Sequence, residues 1–199
     1  MVRALHTDHL LTYEEYLEFE ETSDVRHELV DGHLYAFAGG SDRHSLITVN
    51  IIVALATRAR GSNCRVYESN MKLRVSERTG YYPDVMVACD PSDNHSLYRQ
   101  RPCVLVEVLS PSTHLTDRRE KLLAYQAIES LQGYLMVYRD QHRVESCTRN
   151  SDGVWVFEEF LADHEVWFPC VDLTVPVHAL YEGVDMSPIE PDPDEPDIR

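Results

Sequence analysis

The chain has 199 residues, 43% hydrophobic and 26% charged, with a formal net charge of −16, a length and composition that suit one globular domain with a real core and leave little room for two. No stretch reaches the roughly 18 apolar residues of a membrane span, and the acidic opening MVRALHTDHLLTYEEYLEFEE lacks the basic-then-apolar pattern of a secretory leader, so a soluble, cytoplasmic protein is expected. Polyanions are held by Lys and Arg, so this charge speaks against a nucleic-acid partner until its distribution is considered: residues 58–149 hold 14 basic and 11 acidic side chains, whereas residues 150–199 hold 1 and 13. The five cysteines, Cys64, Cys89, Cys103, Cys147 and Cys170, are an odd number without a CxxC pair, and they read as reduced, buried thiols rather than disulfides.

Thr12 followed by Glu15 is a capping box, which predicts a short acidic helix over 13–21. RHELVDGHLYAF reads as a hairpin turning at Asp31 and Gly32. Beyond it, SDRHSLITVNIIVALATRAR opens on a helix-capping Ser41 or Asp42, keeps a helical period for about five turns, and stops at Gly61. Four strands are then expected, in CRVYESNMKLRV, YYPDVMVAC, CVLVEVL and GYLMVYR. Between the last two, DRREKLLAYQAIESL reads as a helix with Asp117 as N-cap and Glu120 as its capping-box partner. Strand, crossing helix and strand make a βαβ unit, so the expected fold is α/β (α+β): a mixed central sheet flanked by helices, with additional β-hairpins. One such hairpin joins VESCTR to VWVFEEF through Asn150 to Gly153. The expected layout is one domain over residues 1–186, followed by an acidic, Pro-rich, disordered tail over 187–199.

An apolar run such as CVLVEVL belongs in the centre of a sheet, where a carboxylate needs a reason to be. Glu107 is that carboxylate. Alternation places it with Leu105 and Leu109 on one face and leaves Val104, Val106 and Val108 on the other. Asp84 opens a second apolar strand directly after Pro83. Two ionised carboxylates in a low-dielectric site repel, and a divalent cation relieves that repulsion; pairing of each with an arginine at a sheet end is the alternative. Lys121, one of two lysines in the chain, falls in the first helical turn, where the helix dipole disfavours a cation. It lies at the margin of the apolar face, beside Ala124, Tyr125 and Ile128, from where it points toward Glu107 while contributing little to packing. A solvated surface lysine is the plainer reading. Lys72, on a strand beside Met71 and Leu73, is the other candidate for its role.

In order, Glu28-Leu29-Val30-Asp31-Gly32, Pro83-Asp84, Glu107-Val108-Leu109, Ser110-Pro111-Ser112-Thr113 and Asp117-Arg118-Arg119-Glu120-Lys121-Leu122 resemble the PD-(D/E)XK nuclease superfamily. More narrowly, they resemble a large bacterial family of restriction-endonuclease-like proteins first catalogued as a domain of unknown function. The resemblance runs from about residue 10 to residue 180. In the superfamily's usual pattern a lysine follows the second acid by two residues. Leu109 holds that position here, and the lysine of the narrower family has migrated to the following helix, corresponding to Lys121. The resemblance implies a restriction-endonuclease-like core and a metal-dependent nuclease acting on nucleic acid, with DNA as the expected substrate. It also implies Mg2+ or Mn2+ held by Asp84, Glu107 and the Val108 carbonyl, with Lys121 near the attacking water as charge stabiliser or proton acceptor.

Glu28 either completes the metal shell through a water or is a solvent-facing hairpin carboxylate. His44, near the start of the long helix, is either a phosphate contact or one of ten ordinary histidines, and Tyr125 reads as packing. A homodimer is expected from analogy, because two sites related by two-fold symmetry suit a duplex. The alternative function is a catalytically silent nucleic-acid- or protein-binding module on the same fold. A glycosidase would want aromatic sugar platforms near its acids, and a zinc enzyme would want paired His or Cys ligands; neither is visible.

Overall fold

Two short interruptions, a turn at Glu68–Met71 and the Pro83-Asp84 step, divide the strand-forming middle of the chain between two sheets. The computed structural model describes residues 4–5, 9–37, 40–109 and 117–188. The Ser110–Thr113 segment, the Asp117 side chain and the tail from residue 189 on lie outside the described residues.

The central sheet is mixed and six-stranded, ordered β12-β11-β10-β9-β7-β4. Its strands are β4 (Arg65–Glu68), β7 (Val85–Ala88), β9 (Val104–Leu109), β10 (Gly133–Tyr138), β11 (Arg143–Arg149) and β12 (Trp155–Leu161). β9 and β10 run parallel, with Glu107 opposite Met136; the other pairings are antiparallel. This is the expected βαβ unit inside a mixed sheet. The second sheet is ordered β1-β3-β2-β6-β5-β8, from β1 (Ala4–Leu5), β2 (His27–Val30), β3 (His33–Ala36), β5 (Lys72–Ser76), β6 (Thr79–Tyr81) and β8 (Tyr98–Arg99). A two-stranded hairpin, β13 (Glu165–Phe168) with β14 (Leu173–Pro176), completes the set among the described residues.

Helix α1 (Tyr13–Thr22) starts at the predicted capping box, with both reciprocal hydrogen bonds between Thr12 and Glu15 in place. It buries Tyr13 and Tyr16 against Leu29 and Leu34 of the second sheet and against Tyr82, which follows β6. Thr12→Ala is expected to cost about 1 kcal/mol, the usual value of such a cap, read as a lower urea midpoint at unchanged slope. Helix α2 (Asp42–Ala59) is capped by Ser41 and followed by Gly61 in the left-handed region at φ +79°, as the sequence predicts. Its residues Ile47, Ile51 and Leu55, one turn apart, are fully buried and pack on the central sheet with Val85, Val87, Val104, Val106 and Val108. The opposite face of that sheet carries Met86, Leu105, Leu109 and Met136 and packs against Leu73 and Tyr81 of the second sheet and against Tyr125, Ile128 and Leu131. The alternation read in CVLVEVL therefore holds, and β9 is buried on both faces.

Three expectations change. CRVYESNMKLRV is two strands, because the backbone N–H of Met71 closes a turn onto the Glu68 carbonyl and sends β4 and β5 into different sheets. YYPDVMVAC is likewise split at Pro83, which has no N–H to give a ladder. The predicted helix over 117–131 is shorter and irregular: a π-helical turn, Asp117–Lys121, leads into α3 (Leu122–Gln126). Asp117 is thus inside the first turn rather than before it, and the Glu120 carboxylate accepts from Tyr81 Oη at 3.3 Å. The end of α3 has a physical cause. Arg149 donates to the carbonyls of Gln126, Ile128 and Glu129, so groups that another helical turn would satisfy are satisfied from β11.

The cysteine expectation also fails for four of the five. Cys64 is bonded to Cys89 and Cys103 to Cys170, while Cys147 is free and buried. Sequence spacing gave no hint of this, because sheet register brings the partners together: Arg65 pairs with Ala88, which places Cys64 across from Cys89. No helix among the described residues is long and apolar enough to cross a membrane.

Candidate active site

Where the two sheets part, the chain brings together residues distant in sequence. The register of β7 on β9 pairs Val85 with Val106, so one further antiparallel step brings the Asp84 backbone opposite Glu107. β7 begins only at Val85, and the backbone N–H of Val108, beyond the reach of that strand, donates to Asp84 Oδ2 at 2.7 Å. The N–H and C=O of one strand residue leave the same edge, so the Val108 carbonyl lies on the edge that Asp84 faces. His44 Nε2 is 3.0 Å from the same Asp84 oxygen, which assigns its proton to Nε2. His44 is therefore a partner of Asp84, in a position where the sequence offered only a phosphate contact or a surface residue. One turn into α2, it is held there by the Ser41 cap.

Glu107 is 4% exposed and accepts at Oε1 from Lys121 Nζ at 3.1 Å and from Tyr125 Oη at 2.9 Å. Lys121 also pairs with Glu28 Oε1 at 3.0 Å, and the ammonium lies 5.6 Å from the centre of the Tyr81 ring. The Glu28 carboxylate accepts in turn from the backbone N–H of Tyr82 at 3.3 Å. The hairpin thus presents Glu28 inward, against the solvent-facing alternative. The expected direction of Lys121 is correct, but its expected freedom from packing is not: the residue is 6% exposed. A π-helical turn, which overwinds no bond yet rotates the following residues, is a common way to aim a functional side chain, and Lys121 is the last residue of that turn. Lys72 is elsewhere, with its ammonium 5.2 Å from the Tyr82 ring and desolvation lowering its proton affinity.

Burial pushes the Tyr125 phenol far up, with the nearby Glu107 charge adding to it, so Tyr125 stays protonated and serves as a hydrogen-bond donor. It lies four residues beyond Lys121, on the same helix face; that spacing was the signal, and packing alone was too modest a reading. Tyr125→Phe is expected to cost about 1 kcal/mol of stability and to lower turnover modestly by loosening Glu107, which melting curves and cleavage rates would separate. Burial likewise raises Glu120, with Glu28 contributing repulsion.

Asp84 and His44 open onto a cleft of about 340 Å3, also lined by Gly40, Ser45, Thr48 and Glu68. Arg139, at the end of β10, reaches Ser41 beside this cleft at 3.4 Å. Among the described residues no three carboxylate or imidazole ligand atoms converge within 4.8 Å, and Lys121 bridges Glu28 and Glu107. Asp84, Glu107 and the Val108 carbonyl offer hard oxygen atoms, the ligand type that could hold Mg2+ or Mn2+.

The chain is similar to known proteins in sequence and in fold. The sequence matches the Uma2 family, whose description reads "Putative restriction endonuclease", over residues 13–177. An uncharacterized protein of Synechocystis sp., slr1290, is 35% identical over 176 residues, covering 87% of this chain and 93% of the relative. A second, sll1609, is 31% identical over 162 residues, covering 79% and 92%. The fold is that of a crystal structure from Anabaena variabilis described as a putative nuclease belonging to DUF820, with a TM-score of 0.71 at 16% identity over 86% of this chain and 98% of that one. A match that begins at the first residue of α1 and runs past β14, and so takes in Glu28, Asp84, Glu107 and Lys121, makes this chain a member of the Uma2 family within the restriction-endonuclease-like superfamily.

Proposed function

We propose that the protein is a divalent-metal-dependent endonuclease that hydrolyses phosphodiester bonds of nucleic acid, with DNA as substrate. The observation that carries this reading is the convergence of Lys121 on Glu107 at 3.1 Å while Asp84 faces the same strand step. Surface ion pairing does not require a 6% exposed lysine between two acids. Asp84, Glu107 and the Val108 carbonyl would hold Mg2+ or Mn2+, which supplies Lewis acidity toward water and the phosphodiester.

The chain's own groups do the rest. Tyr125 fixes Glu107 from one side, and His44 with the Val108 N–H fixes Asp84, so neither carboxylate has to be ordered when substrate arrives. Glu28 holds Lys121 in place, with its ammonium available to a phosphate oxygen or, after losing a proton, to the attacking water. Arg139 and the first turn of α2 flank the cleft and can position a phosphate backbone. Two such sites in a homodimer would serve the two strands of a duplex; light scattering that finds only monomer would remove this part.

The test is incubation of plasmid, single-stranded DNA and RNA with Mg2+ or Mn2+, beside Asp84→Ala. Metal-dependent cutting of DNA that the variant lacks supports the reading. Preference for RNA corrects the substrate, and no cutting of any substrate with either metal replaces the enzyme by a silent binding module.

A further inference from the structure

At the other end of β9 lies a second cluster that the nuclease reading does not use. Cys103 immediately precedes Val104, while Glu107 is four residues further along, a separation of about 13 Å at strand rise. Three elements of the central sheet and one turn outside it converge there. Cys64 leads into β4, Cys89 follows β7, Cys103 leads into β9, and Cys170 sits between β13 and β14, in the left-handed region at φ +58°. Two S–S bonds join them pairwise, Cys64 to Cys89 and Cys103 to Cys170. Yet the pairs are not separate: Cys89 Sγ and Cys103 Sγ are 3.4 Å apart, and the sulfurs of Cys89, Cys103 and Cys170 all lie within 4.8 Å of one another. Two independent staples need only pairwise proximity. Three sulfurs mutually within 4.8 Å, with a fourth, that of Cys64, bonded to one of them, approach a different requirement, since a tetrahedral ion with bonds of about 2.3 Å places its sulfur ligands about 3.8 Å apart.

The surroundings fit a thiolate site. Cys64 lines a cavity of about 310 Å3 together with Arg60, Gly61 and Arg65, which gives an ion a path in. Four thiolates around a divalent ion carry a net charge of −2, and the two arginines offset it. Asp90, beside Cys89, is already paired with Arg101 at 2.9 Å.

We propose that Cys64, Cys89, Cys103 and Cys170 form a four-thiolate site for a soft divalent cation of the Zn2+ class once a thiol or phosphine reductant has opened both disulfides. Each S–S bond takes two electrons and two protons and yields two thiols, while a dithiol reductant closes to its own disulfide, or a phosphine becomes its oxide with water supplying the oxygen and both protons. The cation then forms four metal–sulfur bonds and displaces four thiol protons. Both states tie the β13–β14 hairpin to the central sheet, one by S–S bonds and the other by metal. The absence of ligand spacing in the sequence is no objection, because each cysteine comes from a different element.

The experiment uses the full chain reduced with a phosphine, which does not chelate the ion as dithiols do, and titrated with Co2+ alone. The expected result is the visible d–d absorption and near-ultraviolet charge-transfer band of tetrahedral cobalt thiolate, saturating at one equivalent and bleached by Zn2+. Cys89→Ser should weaken binding by about 100-fold or more, while Cys147→Ser, outside the cluster, should leave the titration unchanged. Should reduction unfold the chain, added Co2+ is expected to restore the circular dichroism together with the bands. A reduced chain that gives no bands, or that Co2+ does not refold, overturns the proposal and leaves the disulfides as staples; so does a Cys147→Ser variant that loses the bands equally.

Discussion

Replacing Glu107 with glutamine is expected to leave the protein folded and to abolish both divalent-cation binding and cleavage. Glutamine keeps the shape of the side chain and still accepts from Tyr125, and Lys121 retains Glu28 at 3.0 Å. What disappears is one of the two charges that an oxygen-ligand site depends on. Affinity for Mg2+ or Mn2+ should fall by more than about 100-fold, since ligand charge count sets it, and turnover by about 1000-fold or more, the value of several kcal/mol of lost charge stabilisation. Thermal melting separates these from misfolding. A cation at 100 times its dissociation constant stabilises wild type by about 2.7 kcal/mol, and the variant should show no such gain. A Glu107→Gln protein that still cuts in a metal-dependent way removes Glu107 from the ligand set.

Lys121→Ala is expected to reduce cleavage by roughly 100- to 10,000-fold, the range for a positioned acid–base group, and also to destabilise the fold. The second effect follows from burial. Without Lys121, the Glu28 and Glu107 carboxylates, with side chains 17% and 5% exposed, lose the cation between them, and breaking such a pair costs about 3 kcal/mol. A divalent cation added to the variant can replace that charge, so its thermal shift with Mg2+ should exceed that of wild type even as activity is lost. Lys121→Arg should restore stability without activity, because a guanidinium keeps its proton. Lys72→Ala is the companion variant and should cut at the wild-type rate, since Lys72 stacks on Tyr82. Wild-type cleavage by Lys121→Ala would end the assignment of Lys121.

Much of this site was legible before the fold, for reasons of local chemistry. A carboxylate inside CVLVEVL and an aspartate opening the next apolar run are anomalies that burial makes conspicuous, and strand alternation gave the face that Glu107 occupies. The capping box at Thr12 and the Asp31-Gly32 turn were likewise local, and both formed as read. The role of His44 was not legible, because its partner Asp84 is 40 residues away; for Tyr125 the spacing from Lys121 was a signal, but not one that named its partner Glu107, 18 residues away.

The sequence by itself determined the first two helices, the two faces of β9 and the family resemblance, and it singled out Asp84 and Glu107, because each rests on periodicity or on neighbours within a few residues. Only the tertiary structure decided that the middle of the chain alternates between two sheets, that Lys121 is a buried bridge between Glu28 and Glu107, and that four cysteines meet at one end of β9. Those facts depend on strand register and on the packing of one layer over another, and neither is encoded in the spacing of residues along the chain.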